Sequence, residues 1–195
     1  MKRREFIGLV GSTVAAWPLD ARAQLSGKLP IIGFMGSTTA STWNHWVAVF
    51  VERLRELGWI EGRTVAIEYR WAEGRSERYT EIAAEFVRLK VAVIVTSGGA
   101  VVAAKQATSI IPIVFAVAND PVGTGLVASL ARPGGNVTGL SSQGTDTAGK
   151  RVELLREIVP ALRRLAIMAN VGNAFTVLEM DEVQEIGRAS CRERV

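Results

Sequence analysis

Apolar and polar positions change their period several times along the chain, and each change predicts an element. Residues 30–35 form a short apolar run that ends in Gly36, Ser37, Thr38 and Thr39, the pattern of a buried strand entering a turn. Trp43, Trp46, Val47, Phe50, Val51, Leu54 and Leu57 then recur at spacings of three and four, an amphipathic helix that stops at Gly58. Burying all seven side chains would contribute roughly 10–20 kcal/mol before conformational entropy is subtracted. Residues 64–70 alternate Val65, Ile67 and Tyr69 with more polar neighbours, a strand nearer the edge of a sheet. Ser76 is placed to cap the next helix, whose inward face is Tyr79, Ile82, Ala83, Phe86 and Val87. Residues 91–96 are a β-branched run into Ser97, Gly98 and Gly99, with a small-residue helix following to about Thr108. A further strand is expected at 110–115, a short helix at 123–130 and a last strand at 136–140. Five strands separated by helices imply a doubly wound parallel α/β sheet covered on both faces, filling residues 28–140.

Beyond that lobe, Asp146 can cap a helix over 150–159 with Val152, Leu155, Ile158 and Val159 on its inner side. Residues 164–170 read as the first strand of a second sheet and 179–186 as the start of its helix. Residues 141–186 are therefore expected to form a hinge and the beginning of a second α/β lobe. Residues 187–195 lose apolar periodicity and are expected to be a tail foreign to the native fold.

The chain's start has a different logic. Lys2, Arg3 and Arg4 precede an apolar run at 6–17 and the small-x-small site Ala21, Arg22, Ala23, the parts of an export signal. The run is well short of the roughly 20 residues a membrane-crossing helix needs. The paired arginines resemble a twin-arginine signal. Residues 1–23 are thus expected to be removed, leaving a soluble periplasmic protein.

Composition narrows the chemistry. The chain has 195 residues, 48% of them hydrophobic and 22% charged, the balance of a folded soluble protein. Its formal charge of +4 resides in the first 23 and last nine residues, so no basic face for nucleic acid is implied. One cysteine, Cys191, excludes an internal disulfide, and with one histidine, His45, a zinc site is not expected.

Ligands of open parallel sheets bind beyond the carboxyl ends of the strands, near the switch in strand order. Three predicted loops occupy that edge and supply seven candidate binding residues: Ser37 and Thr38; Ser97, Gly98 and Gly99; Asn119 and Asp120. They offer hydroxyls, small side chains and free N–H groups at helix starts, suited to a carboxylate, while Asp120 would suit an amine. The plain alternatives are helix caps for the hydroxyls and Asp120 and a tight turn for the glycines. Trp43 and Trp46 lie on the apolar stripe, so core packing is favoured over ligand stacking, and His45 falls off it into solvent. No nucleophile elbow, phosphate loop or dinucleotide fingerprint is present, and the single imidazole gives no Ser–His pair. The sequence predicts a binder without catalysis, cofactor or metal.

Several dense blocks carry a resemblance: EGRTVAIEYRWAEG at 61–74, AKQAT at 104–108, IPIVF at 111–115, DPV at 120–122 and GLVASLARPGGNVTG at 125–139. Together they resemble the ABC transporter substrate-binding protein family whose best-known members bind tryptophan or tyrosine, over residues 28–170. The resemblance implies a type I periplasmic-binding-protein-like fold, two α/β lobes closing on a ligand. It implies delivery to an inner-membrane ABC permease driven by an ATPase. It places the first-lobe ligand loops at the same seven residues and the first hinge near 139–142. Members continue through a full second lobe, so this chain is expected to hold the first lobe and part of the second. The rival reading is the effector-sensing domain of a transcription regulator with the same fold. A regulator would begin with a helix-turn-helix, where an export signal stands here.

Overall fold

The computed structural model describes residues 28–142, 144, 147–172 and 174–192. The export signal expected at 1–23 and the Asp146 cap lie outside them. Five strands, β1 (Ile31–Gly36), β2 (Ala66–Trp71), β3 (Val93–Thr96), β4 (Ile113–Asn119) and β5 (Val137–Ser142), form one sheet in the order β2-β1-β3-β4-β5. Every neighbouring pair is parallel, so the sheet is the doubly wound α/β arrangement the pattern predicts. β2 sits at the edge, as its half-polar alternation predicts.

The strands' two-residue period sorts their side chains onto two faces. On one, Met35, Ile94, Ile113, Phe115 and Val137 pack beneath α2 (Arg78–Leu89) and α3 (Ala100–Ala107). Phe86 of α2 comes so close to β1 that a Cβ built on Gly33 would lie 2.8 Å from its ring, so a residue without a side chain stands there. Three polar staples hold this face. Arg70 of β2 donates to both carboxylate oxygens of Glu85 on α2, at 2.7 Å for the shortest contact. Asn136 Nδ2 donates to the carbonyls of Ile111 and Thr108 at 2.7 and 3.1 Å, tying the start of β5 to that of β4. Lys105 Nζ donates to the carbonyls of Gly125 and Leu126 at 2.7 and 3.1 Å.

The other face carries α1 (Ala40–Glu56), seated over β1 and β2 through rings. Phe34 meets Trp43, Phe50, Tyr69 and Trp71 with centroids 5.5–6.0 Å apart. The cover is thinner than the periodicity predicts, because no residue of α1 is fully buried. Trp43, Val47, Phe50 and Leu54 are half-buried against the sheet. Trp46, expected in the core, stands on the flank of that stripe with 65% of its surface exposed. His45 is exposed beside it, as expected.

Other expectations shift in detail. α2 has no side-chain cap, and Ser76 contributes only its backbone carbonyl, to the Tyr79 N–H at 3.1 Å. β4 lies three residues further on than the 110–115 run, because Pro112 has no N–H to give a ladder. Residues 123–130 form turns instead of a helix: Gly125 takes φ +70° and Lys105 claims two of the carbonyls a helix would use. The later elements are α4 (Ala148–Ile158) and α5 (Ala174–Arg192). Residues 164–170 take no regular secondary structure and have no strand partner among the described residues, so the expected strand of a second sheet does not form there.

Candidate functional site

The strand order reverses between β1 and β3, and the loops after β1, β3 and β4 rise at that edge. Ser37 and Thr38 follow β1. Their carbonyls accept the N–H groups of Gly74 and Glu73 at 2.9 and 3.1 Å, which locks this loop to the one after β2. The Thr38 hydroxyl is buried without a hydrogen-bond partner. Thr39, at the start of α1, gives no side-chain cap and bonds instead to the hydroxyls of Ser41 and Thr42 at 2.9 and 3.1 Å.

After β3, Ser97 is buried and Gly98 takes φ +58°, a left-handed backbone that glycine adopts without steric cost. The Gly98 N–H bonds to the Val117 carbonyl at 3.0 Å, fixing this turn to β4. α3 then begins at Ala100 with no side-chain cap; the Val101 and Val102 N–H groups turn back to the carbonyls of Gly98 and Gly99 at 3.2 and 3.3 Å, and those of Gly99 and Ala100 stand at the positive end of the helix dipole. Asn119 ends β4. Asp120, with φ +39°, spends one carboxylate oxygen on the Gly123 N–H at 2.9 Å and its carbonyl on the Thr124 hydroxyl at 2.8 Å. It caps a turn, where the plain reading expected a helix.

A cavity of about 360 Å³ opens at this edge. Gly98, Gly99 and Asn119 line it, whereas Ser37, Thr38, Ser97 and Asp120 lie off its wall. Other wall residues carry no binding role in the sequence pattern, among them Ser76, Tyr79, Gln106, Thr124 and Leu126 from the lobe, and Asn170 and Phe175 from the segment beyond it. Tyr79 was assigned to the apolar face of its helix, and it does touch the core, but it also borders the cavity. Burial pushes its phenol above the usual tyrosine value, so the ring presents a protonated hydroxyl. No lining residue is charged. The wall can therefore offer amide and hydroxyl groups and apolar contact, but no counter-charge beyond the helix dipole. A second cavity, about 350 Å³, lies between α4, α5 and residues 165–169. Among the described residues no group of three His, Cys, Asp or Glu side chains is arranged for a metal, and no helix is long and apolar enough to cross a membrane.

Residues 42–189 match the family model of the ABC transporter substrate binding proteins. The chain belongs to this family. A tyrosine-binding protein of Clostridioides difficile is 29% identical over 140 residues, which are 71% of this chain and 40% of that protein. A conserved domain protein of Vibrio cholerae superposes with TM-score 0.73 at 29% identity, covering 84% of this chain and 55% of the other. An ABC domain from Streptococcus pneumoniae, solved with L-Trp, gives 0.71 at 22% identity over the same shares of the two chains, a likeness of fold. The chain thus spans about half the length of the relatives it matches, or less. The family is described as one of substrate-binding proteins of ABC transporters.

Proposed function

We propose that the chain is the ligand-capturing lobe of an exported solute-binding protein that hands a small zwitterion, an amino acid, to an inner-membrane ABC permease and its ATPase. The observation behind this reading is the uncharged cavity at the switch edge, bordered by the uncapped start of α3. An amino acid's carboxylate is matched there by N–H groups and a helix dipole, with no acidic side chain on the wall to repel it. Its ammonium would be met by Asn119 and, from beside the cavity, by the free oxygen of Asp120. Ser37, Thr38 and Ser97 form the adjoining shelf, and the unpartnered Thr38 hydroxyl is the group there that a ligand or ordered water would satisfy. Residues 28–140 act as the first lobe and 141–186 as the hinge and the start of a second; α5 runs on through Arg192, so residues 187–192 continue that start where the sequence pattern predicts a foreign tail. The start of the chain supports secretion, with residues 1–23 as a twin-arginine-type signal and the mature protein soluble in the periplasm.

Calorimetric titration of the chain with L-tryptophan, L-tyrosine, L-leucine and L-isoleucine tests the ligand class. Binding of at least one, with lysine and glutamate giving no heat, is the expected result. Silence from all four would overturn the reading.

A further inference from the structure

Phe175 reaches the cavity from the first turn of α5, and its position depends on groups that lie outside the cavity wall. Its ring lies against Gly144, beyond β5: a Cβ built on that glycine would sit 2.7 Å from the ring's Cζ. The Gly144 carbonyl is held in turn by the Thr147 hydroxyl at 2.9 Å and by Arg151 Nη2 at 2.8 Å. The other guanidinium nitrogen, Arg151 Nη1, pairs with Glu179 at 2.6 Å. Glu179 is four residues after Phe175, on the same side of α5. One arginine therefore grips both the backbone on which the ring rests and the helix from which the ring projects.

We infer that Phe175 is a specificity-determining wall of the ligand cavity, and that Gly144, Arg151 and Glu179 form a latch setting its pose. The wall's ligand rests on the solute-binding reading above; the latch does not. With no charge on the wall, a second ring beside Tyr79 gives the cavity a means of telling planar side chains from branched ones. Arg151 and Glu179 are positioning residues. Removing either changes no residue of the wall and frees the Phe175 ring to swing.

The test uses the full chain and the variants Phe175→Ala, Phe175→Tyr, Gly144→Ala and Glu179→Gln, titrated with L-tryptophan and L-leucine. Phe175→Ala is expected to weaken L-tryptophan about three- to tenfold more than L-leucine, the scale of one aromatic contact. Gly144→Ala, which displaces the ring, should shift the ratio in the same direction, and Phe175→Tyr should retain the wild-type ratio. An unchanged ratio in folded Phe175→Ala and Gly144→Ala overturns the wall. Hydrogen exchange without ligand decides the latch: amides at 174–180 should exchange faster in Glu179→Gln than in the wild type, and equal rates overturn it. If the wild type binds neither amino acid while the exchange difference persists, the solute reading and the wall fall and the latch stands.

Discussion

On one face of the sheet Ile94 and Ile113 are sealed beneath α2 and α3. On the other, Val114, the next residue along β4, keeps 36% of its surface and Leu140 on β5 keeps 72%. The residue types are alike. Val93, Ile94 and Val95 are as apolar on one side as on the other, so a pattern reading predicts burial on both. What differs is the partner. α2 and α3 cover the first face across the sheet, whereas the ring contacts of α1 are with β1 and β2. Apolar periodicity states a preference for burial; a neighbouring element has to satisfy it.

That contrast can be broken by substitution. Phe86→Ala, on the sealed face, is expected to cost about 3–5 kcal/mol in urea denaturation, because the ring is fully buried and touches β1. Gly33→Ala, which drives a methyl into the same ring, should cost about 1–3 kcal/mol. Leu140→Ser, on the open face, should stay within about 0.5 kcal/mol. A loss at Leu140 as large as that at Phe86 would show the two faces to be equally closed in solution.

The Arg70–Glu85 staple gives the sealed face a pH dependence. The guanidinium's hydrogen bonds hold the Glu85 carboxyl below its usual range. Its contribution is therefore complete above the ordinary glutamate pKa and disappears as pH falls through the lowered one. Both side chains are about one-third exposed, so Glu85→Gln should remove about 0.5–1 kcal/mol at neutral pH and nothing in strong acid. A loss independent of pH would mean that the pair acts through packing alone. The smallest expected effect is spectroscopic. Burial, then the charge and hydrogen bond of Glu61, push the Tyr69 phenol up to about 12, and burial raises Tyr79 as well. Absorbance titration of the folded chain should show no tyrosine ionising at the free value, and stability should fall once pH exceeds that value.

Most of the sheet was legible from the sequence because each strand is a continuous β-branched or alternating run, and even the edge position of β2 showed in its polar half. Residues 123–130 and 164–170 misled for physical reasons. The first has helix-like residues, but Gly125 and the grip of Lys105 bend it into turns. The second has strand-like residues with no strand to pair with among those described. The cavity was legible in its floor: Gly98, Gly99 and Asn119 follow from where parallel strands end. Its walls were not. Tyr79 serves core and cavity at once, and Phe175 arrives from more than 30 residues beyond the sheet, which local pattern cannot place.

On the proposed function, main-chain N–H groups hold the ligand where α3 begins. Amide chemical shifts recorded while L-tryptophan is added to isotope-labelled chain test it most directly. Saturable shifts centred on Gly98, Gly99, Ala100 and Asn119 are expected, with the β3–β5 positions of the open face unmoved. Saturable shifts centred on Val114 and Leu140, with the start of α3 silent, would contradict it.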